Sequence, residues 1–116
     1  MLFIEYPKCS TCQKAKAWLD SHGLKYEDRH IVENNPTYEE LKEWYEKSGM
    51  PLKRFFNTSG LLYKEMQLKE KLPAMIEDEQ LKLLATNGML VKRPVIVTDK
   101  VILTGFREAE WEKELF

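Results

Sequence analysis

The chain has 116 residues, 43% of them hydrophobic and 11% aromatic, enough for one buried core and too few for two ordinary domains. Lys plus Arg number 18 against 19 Asp plus Glu, so no charge excess draws it directly to nucleic acid or to an anionic membrane. No apolar run approaches the roughly 20 residues that cross a bilayer, and Met1 to Glu5 lacks the basic region and length of a signal peptide, which makes the expected location cytoplasmic.

In chain order, Leu2-Phe3-Ile4 reads as a short buried strand. After Pro7, the spacing of Ala15, Trp18, Leu19 and His22 marks one helix face that stops at Gly23. Leu24 to Arg29 follows within a few residues and is placed most simply as a parallel strand, giving a βαβ unit. Residues 36–88 read as a helical insert. Thr37 and Glu40 predict a capping box, Tyr38, Leu41, Trp44 and Tyr45 form one apolar face, and Ser48-Gly49 ends it. Shorter helices are expected over Ser59 to Glu65 and Leu68 to Leu72, with a last one through Leu81, Leu84 and Ala85 closing at Asn87-Gly88. Arg93-Pro94 then opens Val95-Ile96-Val97, joined through Thr98-Asp99-Lys100 to Val101-Ile102-Leu103 as an antiparallel hairpin. Glu108 to Leu115 supplies a final helix. The order βαβ, helices, ββα predicts a single α/β domain over residues 1–116, with a four-stranded mixed sheet.

The two cysteines, Cys9 and Cys12, lie three apart at the start of the first helix. Two randomly placed cysteines take that spacing about 2% of the time. A zinc site needs four ligands, and only His22 and His30 remain, in no ligand-like spacing, so no metal is expected. Two inert buried thiols remain an alternative. Cys9 is placed where a helix N-terminus favours the thiolate, with Lys8 as a neighbouring cation. Cys12, one turn on, is placed to attack a mixed disulfide on Cys9. Lys14 reads as a solvated charge, His22 as a charge partner for the helix C-terminus and His30 as a strand-end residue. Trp18, Trp44, Tyr45 and Trp111 read as core, and Phe55-Phe56 as either core or a partner-binding pair.

Taken together, "YPKCSTCQKAKAWL", "NTSGLLYKEM", "GMLVKRPVIV" and "TGFREAEWE" resemble the ArsC/Spx/MgsR family of arsenate-reductase-related proteins over essentially the whole chain. The resemblance implies a thioredoxin-like fold in which Pro94 is cis and lies against Cys9. It also implies that Cys9 is the nucleophile and that Arg93 and Arg107 bind an oxyanion or stabilise the thiolate beside it. The chain departs from the arsenate-reducing pattern at Asn57, where a third arginine is expected, and at Glu5, where a histidine is expected. Both departures imply weak arsenate reduction and, for Glu5, opposition to the Cys9 thiolate. The CxxC pair is the pattern of the Spx/MgsR branch, whose members use it as a disulfide switch and bind the RNA polymerase α subunit. The leading expectation is a small thiol-disulfide oxidoreductase with no bound cofactor, reduced by glutathione, glutaredoxin or thioredoxin. The alternatives are a redox-sensing regulator and a genuine arsenate reductase.

Overall fold

Leu2–Glu5 forms β1, and the chain crosses through helix α1 (Ser10–Ser21) to a parallel strand β2 (Glu27–His30) in a computed structural model that describes residues 1–116. The register sets Phe3 opposite Asp28 and Glu5 opposite His30. Gly23 reverses the chain after α1 with φ of 66°, a conformation that costs glycine little. β2 is shorter than the expected Leu24 to Arg29, because Leu24 to Tyr26 carry the chain back to the sheet edge, where Glu27 N–H first meets Met1 O at 2.9 Å.

Val95–Val97 forms β3 and Ile102–Thr104 forms β4. β3 pairs antiparallel with both β1 and β4, giving the order β2-β1-β3-β4. β4 starts one residue later than expected because Val101 is held in the turn, donating its N–H to Thr98 Oγ1 at 2.9 Å while its carbonyl accepts from Thr98 N–H at 3.0 Å. This is the mixed thioredoxin-like sheet the sequence implies.

The segment between β2 and β3 is helical. α2 (Tyr38–Ser48) begins in the expected capping box, with Thr37 Oγ1 accepting from Glu40 N–H and Glu40 accepting from Thr37 N–H, and it stops at left-handed Gly49. α3 (Leu61–Glu65) starts two residues later than expected, since Gly60 is extended and its N–H is taken by Asn57 O. α4 (Leu68–Lys71) runs into a 3-10 turn over Leu72–Ala74. α5 (Glu77–Leu84) ends at Ala85 rather than at Asn87-Gly88. Asn87 instead caps a separate 3-10 turn, Gly88–Leu90. Gly88 is there for contact: a Cβ on it would lie 1.8 Å from Ile31 O.

Strand alternation divides the core into two layers. Ile4, Val95 and Ile102 face the helical insert, together with Leu41, Trp44, Phe55 and Phe56. Phe55-Phe56 is therefore core. Phe3, Ile96 and Leu103 face α1 and α6 (Glu108–Leu115), where Trp18 and Trp111 meet edge to face at 5.9 Å. His22 lies at the end of α1, stacked on Trp18 with Nδ1 2.8 Å from Trp18 O. His30 ends β2 and accepts the N–H groups of Val32 and Glu33 on Nδ1.

Candidate active site

Cys9 is the N-cap residue of α1. Its backbone is extended, its N–H is held by Tyr6 O at 2.9 Å, and its carbonyl accepts the first helical bond from Gln13 at 3.0 Å. The sulfur therefore sits where the first turn of a helix presents unpaired N–H groups. Burial opposes ionisation of Cys9. The Cys12 backbone N–H, the Cys12 thiol and the Arg93 guanidinium act against burial, and they hold the Cys9 thiol below the ordinary range. Lys8 is exposed. The activating cation comes from the segment just before β3, distant in sequence.

Cys12 is 1% exposed. Burial pushes its thiol up to about 12; the Cys9 sulfur and the Glu5 carboxyl push the same way, against the Tyr6 backbone N–H. One motif thus holds an activated thiol and a proton-retaining one. Glu5 was expected to oppose the Cys9 thiolate, but it lies beneath α1 and acts on Cys12. Burial, followed by a hydrogen bond and charge repulsion from Asp28, raises Glu5 to about 7, against the pull of Lys16.

The Arg93-Pro94 peptide is cis. The Arg93 guanidinium carbon stands 5.3 Å from the centre of the Tyr6 ring, a cation-π contact. Its Nε and Nη1 are buried with no hydrogen-bond partner in the protein. Buried guanidinium N–H groups without an acceptor are costly, which makes them a natural receptor for an anion. Cys9 and Arg93 open into a cleft of about 750 Å³ that Lys53, Arg54, Lys92 and Arg107 also line, with no Asp or Glu on its walls. Arg107 is exposed at the N-terminus of α6 and lies on the cleft wall. Asn57 is 8% exposed, packs over Gly60 and supplies a polar wall without charge. Sequence reasoning did not single out Lys53, Arg54 and Lys92.

The model of the ArsC family matches residues 4–114. The chain belongs to the ArsC family. It is 54% identical over 113 residues to the protein YusI of Bacillus subtilis, covering 97% of this chain and 96% of that one. It is 30% identical over 110 residues to the regulatory protein MgsR of the same organism, covering 95% and 86%. Among solved structures, an ArsC family related protein from Bacteroides fragilis superposes with a TM-score of 0.94 at 60% identity, covering 97% of this chain and 94% of that one. This ArsC-family chain carries its CxxC pair at the start of α1, the first helix of its thioredoxin-like fold.

Proposed function

We propose that this ArsC-family chain is a thiol-disulfide oxidoreductase in which Cys9 attacks and Cys12 resolves. The observation that carries the reading is the opposed setting of the two thiols: Cys9 is lowered beside Arg93, whereas Cys12 is raised by burial one turn away. The Cys9 thiolate attacks a disulfide, forming a mixed disulfide and expelling one thiolate. Cys12 then displaces the second thiolate and closes the Cys9–Cys12 bond. The two cysteines lose two electrons, the substrate gains them, and glutathione, glutaredoxin or a thioredoxin-type dithiol returns the pair to the reduced form. The acid-free cleft favours a substrate that carries carboxylate or phosphate groups near its sulfur. Arsenate is a poor substrate in this reading, since Asn57 offers no charge where the arsenate-reducing pattern has a third arginine.

The likeness to MgsR favours a second reading: the same disulfide works as a switch that alters binding to the RNA polymerase α subunit. Redox titration in glutathione buffers, read by peptide mass mapping, tests the common core of both. A reversible loss of two hydrogens linking Cys9 to Cys12 supports the redox pair. Independent, irreversible oxidation at each cysteine overturns it. Binding of the α subunit by only one redox form would favour the switch over the enzyme.

A further inference from the structure

Asn57 is 8% exposed, yet the fold makes no use of its side-chain amide. The segment that carries it is pinned through backbone alone. Lys92 N–H donates to Phe55 O at 2.8 Å, Asn57 N–H donates to Leu90 O at 2.8 Å, and Phe56 bridges Val91 between them. These bonds lay Asn57 alongside the stretch that runs into Arg93, on the wall of the cleft into which Cys9 opens. Asparagine commonly enters turns because its side chain bonds the backbone two residues on. Here the turn closes without it: Gly60 N–H donates to the Asn57 backbone carbonyl at 3.0 Å, and no protein atom hydrogen-bonds the amide. Gly60 makes room for that amide, since a Cβ there would stand 2.6 Å from Asn57 Nδ2. Thr104, 6% exposed and paired through its backbone with Val95, brings a second uncommitted polar side chain to the same cleft. Side chains buried to this degree normally have a hydrogen-bond partner. These two, with Arg93 Nε and Nη1, share one cleft and lack one.

The chemistry of these groups says what they take. A guanidinium only donates, which suits an oxyanion, whereas an amide and a hydroxyl each donate and accept. A ligand that satisfies all three presents an N–H as well as oxygen acceptors. The peptide group is the unit that joins an N–H donor to a C=O acceptor. A cysteine in peptide linkage carries one on each side, so the amide and the reacting sulfur enter the cleft together. We propose that Asn57 is a specificity-determining residue that reads a peptide group flanking the substrate disulfide, with Thr104 beside it, so that the cleft selects cysteinyl peptides over disulfides without an amide. The inference rests on the thiol-exchange reading of Cys9 and Cys12. The Cys9 sulfur attacks one sulfur of the peptide disulfide, the S–S bond breaks, and the second peptide leaves as its thiolate with the bonding pair. Asn57 takes no part in that electron flow and holds the peptide while it occurs.

The test uses the reduced full chain and two neutral disulfides. One is the disulfide of N-acetylcysteine N-methylamide; the other is its diester counterpart, in which oxygen replaces both N–H groups. Rates of exchange at Cys9 are read by mass spectrometry of quenched samples, each divided by the rate of a small free thiol with the same disulfide. The parent protein should favour the diamide by about tenfold. Because the ratio compares two uncharged disulfides, it cancels any change in Cys9 reactivity or folded fraction that a substitution brings. In Asn57→Leu, similar in size and apolar, the preference should fall to about twofold or less. Asn57→Arg, which donates without accepting, should lose it as well and gives the same reading if the apolar variant does not fold. Insulin separates the two sources of such a peptide group. If Asn57→Leu slows insulin reduction, relative to the diester, as much as it slows the diamide, the group belongs to a protein loop; if only the diamide suffers, it belongs to a short peptide. A parent preference no greater than that of the free thiol, or one that survives in the Asn57 variants, overturns the inference and leaves thiol exchange standing. Absence of exchange with every disulfide overturns both.

Discussion

Arg93 stacks on Tyr6 with its guanidinium carbon 5.3 Å from the ring centre, which fixes the cation that precedes β3 against the loop that leads into Cys9. The contact turns a long, flexible side chain into a placed charge. Arg93→Ala should therefore raise the Cys9 pKa and slow its alkylation by iodoacetamide at pH 7. Arg107→Ala should have the weaker effect, because Arg93 is the guanidinium that hydrogen-bonds that sulfur. Equal shifts in the two variants would mean that the cleft acts as a diffuse field and that Arg93 has no special place in it.

The fold was legible where its signals were local. The Thr37-Glu40 capping box, the β-branched runs before and after Thr98, and the CxxC at a helix start each depend on neighbours within a few residues. Two site features were not read from the sequence for reasons that can be stated. Glu5 was read as an anion opposing the Cys9 thiolate, although period-two alternation puts it in phase with Phe3 and hence under α1. The cleft cations Lys53, Arg54 and Lys92 come from two stretches, 47–64 and 80–98, that contain no Asp or Glu. That acid-free pattern was the available signal, but only the fold shows that both stretches open beside Cys9. Lys8, adjacent to Cys9 in sequence, is exposed.

Gly88 marks a place where two chain segments touch through backbone alone. A methyl group there would lie 1.8 Å from Ile31 O and 2.7 Å from its carbonyl carbon. No side-chain rotation relieves that overlap, so either the 3-10 turn or the end of β2 must move. Gly88→Ala is expected to lower stability by about 3 kcal/mol, read as a reduced urea midpoint with an unchanged slope. Gly49→Ala makes a useful contrast, since no atom lies within 4 Å of the added methyl and only the left-handed backbone resists it. Its cost should be about 1 kcal/mol.

Arg29 grips Glu40 with both terminal nitrogens, at 2.7 and 2.8 Å, tying β2 to the first turn of α2. The hydrogen-bonded guanidinium lowers the Glu40 carboxyl to about 2 against the opposing effect of burial. A carboxyl depressed in the folded state contributes stability above its unfolded value, near 4.5, and loses it as pH falls through about 2. Glu40→Gln should thus be less stable than the parent at pH 7, on the order of 1 kcal/mol once the 33% exposure of the Glu40 side chain is discounted. The gap should narrow below about pH 4 and close near pH 2. A gap independent of pH would assign the effect to packing and the helix cap instead of to charge.

The cleft makes a prediction that net charge alone would not. With a formal charge of −1, the whole molecule neither attracts nor strongly repels an anion, yet the walls beside Cys9 carry five cations and no acid. Local fields of that kind raise encounter rates by about tenfold or more at low salt. Cys9 should therefore react faster with a dianionic aromatic disulfide than with a dicationic one such as cystamine, beyond the ratio a small free thiol of matched pKa gives for the same pair. That excess should shrink as salt approaches 1 M, where the screening length falls to about 3 Å. Lys53→Ala and Arg107→Ala should each reduce it at low salt. Stopped-flow rates over a salt series give the answer. An excess that does not respond to salt would assign the preference to contacts within the cleft and remove long-range steering from the account.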